Sequence, residues 1–279
     1  MNAEARLAAF YKALGGAGFR CLVMGGHAVR SYGIDRSTLD YDLHLALEPE
    51  RWVDLPRLLR RLPVISGGPF AEAPSWRPDD FRRFVVGTLP DGREERLEFW
   101  RRNHLLAPFD ELWERREEAC YGGETLAFLA IDDLIRSKET EREDDWRDVR
   151  LLEEIADERR LAGAQASEGV ARALALLRSR RGFERVVAVG WLSDAGNVGA
   201  AAQLARHPLP WAFLAPYCPS TLARHDTGPS AAWDIIDGAL RRVTPASARH
   251  LALVEAVRRL YRQWAMTTDR ADKERQALD

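Results

Sequence analysis

Val23-Met24-Gly25-Gly26-His27-Ala28 and, separated from Gly26 by thirteen residues, Asp40-Tyr41-Asp42 at the end of Arg36-Ser37-Thr38-Leu39-Asp40-Tyr41-Asp42 decide how this chain is read. Arg20 to Met24 is a short apolar run that stops at two glycines, which predicts a strand closing on a tight turn. His27 to Tyr32 then reads as a helical turn or two before Gly33. Tyr41 to Leu47 alternates, with Leu43, Leu45 and Leu47 on one face and Asp42 and His44 on the other, the pattern of a strand with one buried face. Asp40 and Asp42 therefore point the same way, and two such carboxylates repel unless a cation lies between them.

Working outward, Leu7, Phe10, Tyr11 and Leu14 give Ala3 to Leu14 a helical apolar stripe, closed by Gly15-Gly16. Pro49 beside Glu48 and Glu50 starts a helix that runs towards Leu62 with a break near Pro56. Phe81 to Val86 and Arg93 to Trp100 are strands joined by Pro90-Asp91-Gly92, a hairpin turn. Cys120 to Thr125 is another tight connection, leading into the apolar run Leu126 to Ile131. Asp132 caps a helix carrying Leu134, Ile135 and Lys138, and a second helix from about Asp144 buries Trp146, Val149, Leu152 and Ile155. Ala, Gly and Ser around Gly163 to Ser167 mark a boundary, which predicts domains at 1–162 and 163–279. The second is helical in pattern: Val170 to Leu177, a Pro-punctuated middle with Val186 to Trp191 as strand or helix, and a long helix repeating Leu251, Val254, Val257, Tyr261 and Trp264.

With 279 residues, 46% hydrophobic and 30% charged, the chain excludes disorder, collagen and coiled-coil rods. No stretch reaches the roughly 18 apolar residues of a membrane span, and MNAEARLAAFYKAL carries charges where a secretion signal has its apolar core, so a cytoplasmic protein without a membrane partner is expected. Cys21, Cys120 and Cys218 lie far apart, which leaves a disulfide framework or zinc cluster without basis. Residues 1–160 hold 25 basic against 32 acidic side chains and residues 161–279 hold 16 against 11, so the mild basic excess is C-terminal. Gly-x-Gly-x-x-Gly, P-loop and Gly-x-Ser-x-Gly motifs are absent, which leaves Rossmann enzymes, P-loop ATPases and α/β-hydrolases unsupported.

The glycine pair and the aspartate pair suit one chemistry. Backbone N–H groups approach a phosphate where no Cβ stands in the way, and carboxylates at a strand edge hold a divalent cation that bridges phosphates and activates a hydroxyl. A third carboxylate is needed from a later strand. In Glu94 to Trp100, Leu97 and Phe99 take the core face and Glu98 the other, with Asp91 and Glu95 as alternatives. His27 and His44 lie near the site, the first reading more readily as a local hydrogen-bonding group.

These motifs resemble the nucleotidyltransferase superfamily with a DNA polymerase beta-like core. Arg36, Thr38, Asp40 and Asp42 are similar to the branch containing bacterial abortive-infection and toxin–antitoxin nucleotidyltransferases. Asp133-Leu134-Ile135-Arg136-Ser137-Lys138, then Arg142, Asp145 and Asp148, resembles that branch's helical motif, and the likeness spans about residues 18–157. Glu98 departs from the family's usual Asp.

The resemblance implies an α+β fold, a small mixed sheet flanked by helices, with a mostly helical C-terminal domain. It implies transfer of a nucleoside monophosphate from an NTP to a hydroxyl of tRNA or another RNA, a protein or a small molecule, and a cognate antitoxin as partner. Asp40, Asp42 and Glu98 would be catalytic and hold Mg²⁺ or Mn²⁺, while Gly25, Gly26, Arg36, Thr38, Lys138 and Asp145 would bind the nucleotide. The contrasting reading is a degenerate module that binds nucleotide, RNA or protein without turnover, which Glu in place of Asp favours. Lys138 reads either as a point charge on the phosphates or as a helix-surface lysine paired with Glu139 or Glu141.

Overall fold

A computed structural model describes residues 2–186, apart from 66, 67, 76, 90, 141, 165, 166, 180, 183 and 184, together with 248, 251 and 252. The expectations for the Pro-punctuated middle, for Val186 to Trp191 beyond its first residue, and for the Val254 to Trp264 repeat lie outside the described residues, as does the Trp146 side chain. The chain divides into two compact units, Met1–Ser137 and Lys138–Asp279.

From the N-terminus come α1 (Ala3–Gly16), β1 (Cys21–Val23), α2 (Gly25–Ser31) and β2 (Asp40–Leu45). They are followed by α3 (Pro49–Val53), α4 (Leu55–Leu59), β3 (Ala71–Ala73), β4 (Phe81–Thr88) and β5 (Glu94–Trp100). Then come α5 (Phe109–Arg115), β6 (Glu117–Tyr121), β7 (Glu124–Phe128) and α6 (Ile131–Lys138), followed by α7 (Glu143–Gly163) and α8 (Ser167–Leu176). Among the described residues no helix is long and apolar enough to cross a membrane.

Local chemistry explains the boundaries. The Asn2 side chain accepts from Ala5 N–H at 2.8 Å and caps α1, whose Leu7, Phe10 and Leu14 are buried. The helix expected after Pro49 becomes two short ones, because Pro56 has no N–H to continue the first and suits the opening turn of the second. Gly92 turns the β4–β5 hairpin at φ 85°, and Gly122 and Gly123, at φ 62° and 90°, make the turn between β6 and β7. Asp132 lies inside the first turn of α6, where its charge favours the helix N-terminus, instead of capping it.

Seven strands form one sheet in the order β3-β4-β5-β2-β1-β7-β6. It is mixed: β2 runs parallel to β5 and β1 parallel to β7, while β1–β2, β3–β4, β4–β5 and β6–β7 are antiparallel. The register fixes its two faces. Tyr41 pairs with Leu97 and Leu97 with Phe84, and Leu43 pairs with Phe99 and with Val23, so these side chains share a core face and all are buried. The Phe10 ring of α1 meets Tyr41 edge-on at 5.4 Å and covers that face. On the opposite, acidic face Asp40, Asp42 and His44 stand beside Arg96, Glu98 and Trp100, with Val85, Arg83 and Phe81 next along the sheet.

Two histidines are buried in this frame. His27 stacks on Tyr41 at 5.2 Å, and its Nδ1 lies 2.8 Å from the Tyr121 hydroxyl, so it faces the core side and not the carboxylates. Arg30 donates to the same hydroxyl. His44 lies on the acidic face beneath Phe109, with ring centroids 5.3 Å apart. Burial pushes both imidazoles down to about 4, Arg30 adding to the effect at His27.

Because the unfolded chain takes up these protons near pH 6.5 and the fold does not, stability is complete above that pH and falls as the pH drops towards 4. The loss should be on the order of 3 kcal/mol per ring over the full range. Thermal unfolding followed from pH 7 to pH 5 should show it, and His44→Phe should flatten the decline. An equally steep decline in that variant would place the acid sensitivity elsewhere.

Candidate active site

The site is assembled around two bare Cα atoms. Gly25 opens α2 at φ 63°, and a Cβ there would stand 1.9 Å from Oδ2 of Asp42. A Cβ on Gly26 would lie 2.5 Å from Oγ1 of Thr38 and 3.1 Å from an Arg36 guanidinium nitrogen. The glycine turn and the segment Arg36 to Asp42 are therefore packed into each other, although thirteen residues separate Gly26 from Asp40. Met24 N–H donates to the Asp42 carbonyl at 3.0 Å and ties the end of β1 to the start of β2. Arg30 donates to the Arg36 carbonyl at 3.1 Å, which holds the loop against α2.

Glu98 is brought to this point by the parallel pairing of β2 with β5, in which Asp40 pairs with Arg96 and Asp42 with Glu98. Its carboxyl is in hydrogen-bonding contact with Asp42 and is buried. Burial first, and then the charge of Asp40, push its pKa up, while Arg83 and Asp42 draw it down. Arg83 on β4 donates from Nε to Oε1 of Glu98 at 2.6 Å. Arg96, on the other side of Glu98 along β5, pairs with Glu94 at 2.9 Å. The sequence alternatives resolve in position: Glu95 lies on the core side, accepting from the Tyr41 hydroxyl at 3.0 Å, and Asp91 pairs with Arg93 in the hairpin turn at 2.6 Å.

Only carboxylate oxygens are offered here, the ligand type of a hard divalent cation such as Mg²⁺. Half-buried Asp40 and Asp42 beside buried Glu98 fit such an ion chemically. As the side chains stand, however, no group of three or more His, Cys, Asp or Glu among the described residues is spaced to hold a metal ion.

Arg83 is the residue that the sequence reading missed. Counting back from the hairpin turn continues the pairing of Gly87 with Glu95 and would set Phe84 opposite Glu98. A bulge between Val85 and Gly87 shifts the register by one and places Arg83 there.

Lys138 and Asp145 belong to the second unit and form their own cluster. The Lys138 ammonium lies 2.8 Å from Asp145 and 3.2 Å from Asp148, and all three residues are buried. Thr140 donates to the second oxygen of Asp145 at 2.7 Å. Burial alone would raise the Asp145 carboxyl, but the Lys138 charge, with the hydrogen bonds from Lys138 and Thr140, holds it low. Lys138 is thus not the surface lysine that its place on an amphipathic helix suggests.

No protein-family model and no curated protein matches the chain. Solved structures do resemble it. An antigenic nucleotidyltransferase-like protein from Paracoccidioides brasiliensis is 16% identical, with TM-score 0.38, over 70% of this chain and 92% of its own. The lincosamide antibiotic adenylyltransferase LnuA, bound to lincomycin, is 15% identical, with TM-score 0.40, over 55% and 98%. JHP933 from Helicobacter pylori is 15% identical, with TM-score 0.39, over 97% and 95%. Likenesses at this level add no weight to the geometry described above.

The buried state of Lys138 has a direct consequence. Lys138→Ala leaves two buried carboxylates without their ammonium and should cost on the order of 3 kcal/mol, against the roughly 0.5 kcal/mol of a surface change. Urea unfolding measures it. A cost near that of a surface site would mean that the cluster is open to water in solution.

Proposed function

We propose that the chain is a nucleotidyltransferase that moves a nucleoside monophosphate from an NTP to a hydroxyl group and releases pyrophosphate. The observation that carries this reading is the packing of Gly25 on Asp42 and of Gly26 on Thr38 and Arg36, with Glu98 in contact with Asp42. This unites a phosphate-approach turn and a carboxylate cluster in one place.

In this reading Asp40 and Asp42, with Glu98, hold Mg²⁺. Mn²⁺ offers the same coordination preference for oxygen and serves as its substitute. Bound there, the cation would neutralise phosphate charge and lower the pKa of the attacking hydroxyl. Gly25 and Gly26 leave the backbone open to the phosphates, and Arg36 and Thr38 stand beside them. Glu98, placed beside Asp42 by the strand pairing, would complete the set as ligand or as base for the acceptor hydroxyl. Lys138 and Asp145, the remaining nucleotide-binding candidates, are engaged with each other, the ammonium lying between Asp145 and Asp148.

The acceptor is an RNA such as tRNA, a protein or a small molecule, and a toxin role with a cognate antitoxin belongs to the same proposal. A second reading has one specific observation in its favour. The Arg83–Glu98 ion pair fills part of the carboxylate cluster, as a binding module without turnover would require.

Incubation with each α-labelled NTP, Mg²⁺, and total RNA or cell extract separates the two. The enzyme reading expects label on a macromolecule or small acceptor, with Asp42→Asn reducing transfer by about 100-fold or more. Nucleotide binding without transfer under every NTP would establish the module instead.

A further inference from the structure

We propose that Arg83 is a latch on the third carboxylate, a positioning residue that competes with the divalent cation for Glu98. The inference rests on the reading that Asp40 and Asp42 bind such a cation, and adds to it a residue that controls how readily the site fills.

The register sets Arg83, Glu98 and Asp42 in one row across three adjacent strands on the acidic face. Neighbouring strands lie about 4.8 Å apart, so a side chain in the middle of the row reaches either neighbour. Glu98 has both. Its Oε1 accepts from Arg83 Nε at 2.6 Å, and its carboxyl also contacts Asp42. The ion pair is largely withdrawn from water on the acid's side, with the Glu98 side chain 10% exposed and that of Arg83 34%. A charge-assisted bond of this kind is not lost to solvent screening as a fully exposed pair is.

A guanidinium already supplies positive charge to Glu98. Closing the cluster on a cation requires Glu98 to give up Arg83, and the extra methylene of Glu over Asp supplies the reach for that swing. Arg83 has somewhere to remain, because its guanidinium lies 5.5 Å from the centroid of the Phe81 ring. Once released, it stands at the margin of the site as a cation without its carboxylate, suited to an anionic group of the substrate.

Mn²⁺ titration of the full chain, followed by the electron paramagnetic resonance signal of free Mn²⁺ without nucleotide, tests the latch apart from activity. Arg83→Gln, which keeps the size and removes the charge, should bind Mn²⁺ about tenfold more tightly than the parent. Arg83→Lys, which keeps the charge, should stay within about threefold of the parent. Asp42→Asn should weaken binding in each background.

Equal or weaker binding by Arg83→Gln, with Asp42-dependent binding intact, overturns the latch and leaves the proposed function standing. Absence of Asp42-dependent Mn²⁺ binding in every variant overturns both. Circular dichroism checks that Arg83→Gln is folded. Should it fail to fold, Arg83→Met makes the same test: it keeps an apolar stem beside Phe81 while removing the guanidinium from Glu98. Tighter Mn²⁺ binding supports the latch, and unchanged or weaker binding overturns it.

Discussion

A Cβ atom on residue 25 would stand 1.9 Å from a carboxylate oxygen of Asp42, 2.4 Å from its Cγ and 2.7 Å from its Cβ. The bare Cα of Gly25 therefore allows the turn after β1 to close onto the first residues of β2, and the rest of the site follows from that closure. Its φ of 63° is a conformation that other residues adopt only at a cost, so the position excludes a side chain twice over. Gly26 repeats the device against Thr38 and Arg36. The glycines thus make room for the motif's own polar side chains, and fix where those side chains point.

The second dependence is on strand register. Asp42 and Glu98 meet because β2 and β5 run parallel in that alignment, and a slip of one residue would turn Glu98 to the core face beneath α1. Such a slip is resisted by the opposite face, where Tyr41, Leu43, Leu97 and Phe99 are buried together. The apolar face therefore holds the charged face in alignment. The carboxylates occupy positions that repulsion alone would separate, and the core supplies the restraint.

Much of this could be read in the sequence, because it is encoded by local pattern. The alternation from Tyr41 to Leu47 gave the strand, which ends two residues sooner at Leu45, and the side on which Asp42 lies, and Gly-Gly after an apolar run gave the turn into α2. The position of Glu98 on the face opposite Leu97 and Phe99 followed from the same period of two. Three things were hidden for physical reasons. β3 has three residues at an edge, too few to set a period, and β6 runs from two acids through Ala119 and Cys120 to Tyr121 without an apolar stripe. The bulge between Val85 and Gly87 is marked in the sequence only by a glycine near the strand's end, which does not tell the direction or size of the shift that brings Arg83 to Glu98. The burial of Lys138 depends on Asp145 and Asp148 from the following helix, and a charged residue on an amphipathic helix looks the same in sequence whether it faces water or a partner.

The central claim is that Gly25 is kept bare by Asp42 itself, and a double-mutant cycle in folding stability tests it directly. Gly25→Ala in the parent chain should cost more than the roughly 1–2 kcal/mol of placing a non-glycine residue in the left-handed region. In an Asp42→Gly background, where the carboxylate and the Cβ that it meets are both gone, the same substitution should cost only that conformational part. The two changes should then be coupled by about 1 kcal/mol or more. Additive costs, within about 0.5 kcal/mol, would contradict the account and place the need for glycine elsewhere in the turn.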